Sequence, residues 1–322
     1  MQRRSFVVAP LALSATMAFA QTNAKVARIV VPFAAGGVQD LLGRAISTEL
    51  GVALGQTVII ENRPGAGGTV GTGFVAKSAP DSGAMVLAAA SHNIAGSLYN
   101  TSSTKLAYDP QKDFAPLAHI GTADYVLMVH PDVPAKTAAE YIKYAKANPG
   151  KMNYATAGVG SATHLSMAYF NGLAGIDVVH VPLKATGEAI NEVISGRAQA
   201  VIAASIGALA FAKDSRIRLI GVTSPKRSKY LPDVPTIAES GLPGYQFDSW
   251  FGLLGPVGTP ALEVNRINMA MATILKDPVI LARLDKQGIE PLAMSNIDFA
   301  KLLAIDYERM AKVVKASGAK VE

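Results

Sequence analysis

Short apolar runs recur along the chain, each followed by a stretch whose apolar positions fall three and four residues apart. Residues 28–33 form the first run, and a glycine-rich turn separates it from a helical pattern over 39–54. Strand-like runs follow at 57–61 and 85–90, with a loop at 62–68 and a helix ending near 78 between them. The order repeats after Asp113-Phe114. Strands are predicted at 125–130, 154–156, 178–181, 200–204 and 217–223, and helices at 138–147, from 162 to about 173, and at 187–195. A proline-rich return at 225–243 leads to a strand at 246–254, then to helices near 261–276 and 297–317. Regular strand–helix alternation predicts parallel sheets with helices on both faces.

Two such series predict an α/β protein of two lobes joined by crossing strands. The first lobe is expected over 25–122 and 248–322, the second over 123–247. A chain of 322 residues suffices for two cores. The first twenty residues read differently. Gln2-Arg3-Arg4 is basic, 6–17 is mostly apolar, and Ala18-Phe19-Ala20 fits a cleavage site, so 1–20 is expected to be a signal peptide removed on export. Arg3-Arg4-Ser5-Phe6-Val7 fits a twin-arginine signal and equally the basic start of an ordinary one. No later run is long enough to span a membrane, which predicts a soluble periplasmic protein.

Composition narrows the chemistry. The formal charge of +6 falls to 6 − 2 = +4 once Arg3 and Arg4 are removed, and no basic tract is interleaved with aromatics, so no nucleic-acid partner is expected. The absence of cysteine excludes disulfides, thiol catalysis, thiolate-bound metals and a lipid-modified cysteine anchor. No P-loop, G-x-S-x-G elbow or H-E-x-x-H motif occurs, and the five histidines lack metal-ligand spacing. Gly71-Thr72-Gly73-Phe74-Val75-Ala76 matches a dinucleotide fingerprint in letters only, because it does not open directly out of a strand. The expectation is a protein without catalytic residues, metal or cofactor.

The remaining candidates are two glycine-rich strand-to-helix turns. The first holds Ala35, Gly36, Gly37, Val38, Gln39 and Asp40, with Phe33 at its start. The second holds Ala157, Gly158, Val159, Gly160, Ser161, Ala162, Thr163 and His164. Glycine lets backbone approach a ligand, and the following helix offers unpaired N–H groups and a positive dipole end. Each turn alone also reads as an ordinary βα connection. Their occurrence in both series points to an anion held between opposed helix N-termini. His92, Asn93 and Ser205 follow strands at the ends where open α/β sheets bind ligands, as does 182–186. Tyr125, Phe33 and Trp250 suit apolar cleft walls, and equally a core.

A further series of motifs begins with Ala35-Gly36-Gly37, with Asp40 and Arg44, then V-I-I-E-N-R-P-G-A-G-G over 58–68, and Tyr108-Asp109-Pro110. His180-Val181-Pro182, Asp233-Val234-Pro235-Thr236 and Gly241-Leu242-Pro243-Gly244-Tyr245 complete it. Taken in order, these motifs resemble the Bug family, the extracytoplasmic solute-binding proteins of tripartite tricarboxylate transporters. The resemblance implies a two-lobed, type II-like periplasmic-binding-protein fold, each lobe a mixed, mainly parallel sheet flanked by helices, with crossing hinge strands. It also implies a small carboxylate ligand held by the two turns: a di- or tricarboxylate, or an aromatic acid such as terephthalate. A membrane permease is the implied partner, a sensor kinase the alternative, and a monomer the expected state. A secreted enzyme on the same fold is the weaker reading. The chain departs from the pattern at Ala168, Leu183-Lys184-Ala185 and Gln199, which bears on ligand identity rather than fold.

Overall fold

The computed structural model describes residues 26–100, 105–317 and 319, so the expected signal segment lies outside the described residues. The first series runs β1 (Val26–Val31), α1 (Val38–Leu54), β2 (Thr57–Asn62), a 3₁₀ turn (Ala66–Gly68), α2 (Thr69–Ala76), β3 (Ala84–Ala89) and α3 (Ala90–Asn100). β4 (Phe114–Val129) leads into α4 (Ala138–Ala147), β5 (Asn153–Thr156), α5 (Ala162–Ala174), β6 (Val179–Pro182), α6 (Thr186–Ile194), β7 (Ala200–Ala204), α7 (Ser205–Leu209) and β8 (Arg218–Val222). The chain returns through β9 (Asp248–Pro256), α8 (Ala261–Ile274), α9 (Pro278–Lys286), β10 (Glu290–Pro291) and α10 (Asn296–Ser317).

The strands form one continuous order, β2-β1-β3-β9-β4-β7-β5-β6, with β8 and β10 also pairing with β4. β1 is parallel to β2 and β3, and β5 is parallel to β6 and β7. These are the parallel sets that the strand–helix alternation predicts. β9 and β4 run antiparallel to their neighbours and join the two sets. The first part of β4 pairs with β9 as far as Asp124↔Asp248, and its second part pairs with β7 from Tyr125↔Ala204. β4 is thus a single strand shared by both lobes. All six side chains of β3 are buried, the mark of a strand covered on both faces.

Three differences from the sequence reading have local causes. β4 begins eleven residues earlier than expected, at Phe114 rather than 125. Pro116 and Gly121 read as strand breakers, but both sit where the β4–β9 register shifts, and irregularities of that kind accommodate proline and glycine within a sheet. Helix α3 follows β3 without an intervening turn, so the sequence gives no punctuation between them. Helix α9 does carry a start signal: Asp277 accepts hydrogen bonds from the N–H groups of Val279 (2.7 Å) and Ile280 (3.4 Å), with Pro278 at the first helical position.

The first lobe packs α1 and α8 against one sheet face, with Ile29, Leu42, Ile46, Leu87 and Leu253 at its centre. The second buries Leu127, Tyr141, Phe170, Ile202 and Phe247. Helix α10 serves both. Phe299 packs beside Trp250 in the first lobe, while Met310, Val313 and Val314 enter the second core. Gly172 of α5 permits that approach, since a Cβ there would lie 2.5 Å from the carbonyl oxygen of Ala316.

Candidate functional site

The two glycine-rich turns lie in one cleft between the lobes. Helix α1 starts after Gly37 without a side-chain cap, and its first intrahelical bond runs from Leu41 N–H to Gly37 O at 3.0 Å. The N–H groups of Val38, Gln39 and Asp40 therefore have no partner among the described residues. Asp40 does not fill the gap. Its carboxylate turns back to accept from Gly36 N–H (2.9 Å) and from Arg44 Nε (3.1 Å). Burial pushes this carboxyl up, but the bonds from Arg44 and Gly36 outweigh it and the pKa lies below the ordinary value. Arg44 also reaches Asn62 Oδ1 (3.4 Å), and Asn62 Nδ2 donates to Phe33 O (3.1 Å). The Asp40–Arg44–Asn62 chain holds the first turn from behind.

The second turn is held from within. Ser161 caps α5, its Oγ accepting from His164 N–H (3.2 Å) and donating to Gly158 O (2.7 Å). Thr163 Oγ1 accepts from Ala157 N–H at 2.8 Å and lies 2.9 Å from Ser161 Oγ. Gly160 N–H donates to His164 Nδ1 (3.2 Å) and Gly158 N–H to Thr156 Oγ1 (3.2 Å), which in turn meets His180 Nε2 at 2.7 Å. The two imidazoles stack at 4.2 Å between ring centres. Burial, helped by the neighbouring His180, lowers His164 to about 3, and burial lowers His180 to about 4. Both rings are neutral at neutral pH. The N–H groups of Ala162 and Thr163 have no partner among the described residues.

The cleft between these helix ends encloses ≈ 60 Å³. Its lining is Phe33, Ala34, Gly37, Val38, Gln39, Ala89, Ser91, Tyr125, Ala157, Ser161, Ala162, Thr163, Ala185, Thr186, Ala204 and Phe251. Among the described residues, no lysine, arginine, histidine, aspartate or glutamate borders it. Ala185 and Thr186 bring the start of α6, a third helix N-terminus. The field available to a ligand anion therefore comes from backbone N–H groups and helix dipoles in apolar walls.

Of the residues singled out in the sequence, Phe33, Gly37, Val38, Gln39, Ala157, Ser161, Ala162 and Thr163 border the cleft. Ala35, Gly36, Gly158, Val159 and Gly160 do not; they shape the turns. Asp40 and His164 face the supporting bonds described above. His92 and Asn93 lie in α3 and point into the protein. His92 Nε2 meets Pro110 O at 2.9 Å, and Asn93 Nδ2 donates to Leu303 O and to Asp306 Oδ2. Ser205 turns to Gly288 O at 3.4 Å. Trp250 is in the core, donating Nε1–H to Asp306 at 2.8 Å, and its neighbour Phe251 takes the cleft wall because successive strand residues face opposite sides. Ser91, Ala89, Ala204 and Phe251 border the cleft without having been singled out. Ser91 directly precedes His92, so a helical reading of 90–100 would have exchanged the two. Gly71 and Gly73 lie inside α2, where a Cβ at Gly71 would meet Arg63 O at 2.8 Å, so the fingerprint-like letters serve close packing. No group of three or more His, Cys, Asp or Glu among the described residues is arranged to hold a metal. No described helix is long and apolar enough to cross a membrane.

The model of the tripartite tricarboxylate transporter family receptor, TctC, matches residues 42–319. The chain belongs to that family. It is 32% identical to the UPF0065 protein in the tcbD-tcbE intergenic region of Pseudomonas sp. (strain P51), over 88% of this chain and 84% of that protein. It is 30% identical to BugT of Bordetella pertussis, over 92% and 90%. Among solved structures, R. palustris Rpa4515 with adipate is similar at 31% identity and a TM-score of 0.85, covering 92% of this chain and 98% of that one. MatC from Rhodopseudomonas palustris with bound malate is similar at 32% identity and a TM-score of 0.82, covering 90% and 98%. These likenesses establish a Bug-type receptor with the two-lobed binding-protein fold, in a family of solute receptors rather than enzymes.

Proposed function

We propose that this receptor captures a small carboxylate between its lobes in the periplasm and delivers it to a membrane permease, without chemical turnover. The observation that carries the reading is the meeting of the α1 and α5 N-termini in one cleft that no charged side chain borders. Val38, Gln39, Ala162 and Thr163, whose N–H groups have no partner among the described residues, all border that one cleft. Such groups favour an anion. The bound adipate and malate of the similar structures make carboxylates the first class to try. The apolar walls of Phe33, Val38, Tyr125 and Phe251 suit the carbon skeleton of such an acid. We read the hinge as the β4 and β9 crossing near Asp124 and Asp248, with α10 spanning it.

A thermal-shift series over succinate, malate, citrate, adipate, terephthalate and aspartate tests the reading. A ligand at 100 times its Kd adds about 2.7 kcal/mol, enough to raise the melting temperature by several degrees. One acid is expected to do so and to be recovered unchanged. No shift with any of them would sink the reading.

A further inference from the structure

Most polar side chains on the cleft are already engaged. Ser161 and Thr163 bond within the second turn, and the Tyr125 hydroxyl lies by Ser249. Two atoms differ. Ser91, at the start of α3, is only 7% exposed and borders the cleft, and its hydroxyl has no hydrogen-bond partner in the described chain. Gln39, 8% exposed, donates Nε2 to Leu87 O at 2.9 Å. Because a carbonyl accepts only from the amide nitrogen, that bond fixes the Gln39 side chain and turns Oε1 elsewhere. Oε1 likewise receives no bond, and neither atom is among the unpartnered side-chain atoms sealed away from the surface. Both keep some exposure, on residues that border the cleft.

A hydroxyl is donor and acceptor, whereas Gln39 Oε1 can only accept. A ligand carboxylate also only accepts, so it suits the helix N-termini and meets nothing favourable at Gln39 Oε1. The pair is complementary to a group that brings its own hydrogen. Resting on the carboxylate reading above, we infer that Ser91 and Gln39 are specificity-determining residues that select a small carboxylate bearing a hydrogen-bond-donating substituent, a hydroxyl or an amine. Ser91 can donate to any acid's carboxylate, but the unsubstituted acid leaves Gln39 Oε1 without a donor, and a site built to hydrogen-bond a substituent discriminates strongly against the analogue lacking it.

Calorimetric titration of the wild type and Ser91→Ala with L-malate, L-aspartate and succinate, plus adipate and terephthalate, tests this. Malate or aspartate is expected to bind at least about tenfold more tightly than succinate, and whichever leads identifies the substituent. Ser91→Ala should shrink that gap several-fold while leaving the ligand-free melting temperature in place, since the hydroxyl makes no internal bond. The inference is overturned if an unsubstituted acid binds as tightly as the substituted ones, or if Ser91→Ala leaves the gap intact. Absence of binding by all five acids would instead overturn the carboxylate reading itself.

Discussion

Gly67 lies against the carbonyl oxygen of Val159, so close that a Cβ on it would sit 2.5 Å from that oxygen. Gly67 belongs to the first lobe and Val159 to the second glycine-rich turn, so the two lobes touch beside the cleft at a position only glycine fits. Its φ of 65° adds a second reason for glycine. Gly67→Ala is expected to hold the lobes apart and weaken the preferred acid by at least about tenfold, with a loss of roughly 1–2 kcal/mol in stability from the left-handed backbone. Calorimetry and small-angle scattering with and without ligand would read both; full-affinity closure by the variant would refute the contact's role.

Thr163 and Ser161 hold the second turn in shape. Thr163→Ala strands the Ala157 N–H and Ser161→Ala removes the α5 cap. Each is expected to lower stability by about 0.5–2 kcal/mol and to weaken binding in step. Thr163→Ser keeps the hydroxyl and should restore most of both. Melting curves paired with titrations check it, and a binding loss with undiminished stability would mean direct contact with the anion.

Acid should loosen the fold before carboxylates protonate. Burial lowers His92 to about 4, His164 to about 3 and His180 to about 4, and lowers His119 too. An unfolded histidine titrates near 6.5, so the unfolded chain binds more protons below that pH. The stabilisation is complete above about pH 6.5 and is lost as pH falls through about 4. For buried His92 alone this is on the order of 3 kcal/mol. Urea midpoints between pH 7 and 4.5 should fall, and His92→Gln should flatten the decline; a constant midpoint would contradict the burial.

Asp306 ties three elements together. It is 2% exposed and accepts from Asn93 Nδ2 (2.9 Å), Trp250 Nε1 (2.8 Å) and Arg309 Nη2 (2.8 Å), while Arg309 also pairs with Asp248 at the hinge. Asp306→Ala is expected to cost about 3–5 kcal/mol, because it leaves these buried donors without their charged partner. Trp250 is the only tryptophan, so its emission reports the change directly. An unaltered spectrum and melting point would show the network to be dispensable.

The parallel strands, most of the helices and both glycine-rich turns were legible in the sequence, because each depends on residues adjacent in the chain. Apolar alternation marked β1 and β3, and glycine followed by a helical period marked the starts of α1 and α5. Other features depend on partners far along the chain. Only the fold turned His92 inward to Pro110 and left Ser91 on the cleft, because α3 begins the moment β3 ends. Only β9 pairing decided that Phe251, not Trp250, forms a wall, since a shift of one residue exchanges the two faces of a strand. Pro116 and Gly121 stay within β4 because the pairing with β9 shifts register beside them. The sequence by itself determined the two helix N-termini that can hold an anion. The tertiary structure alone decided which side chains stand beside them, because that depends on contacts between segments many residues apart.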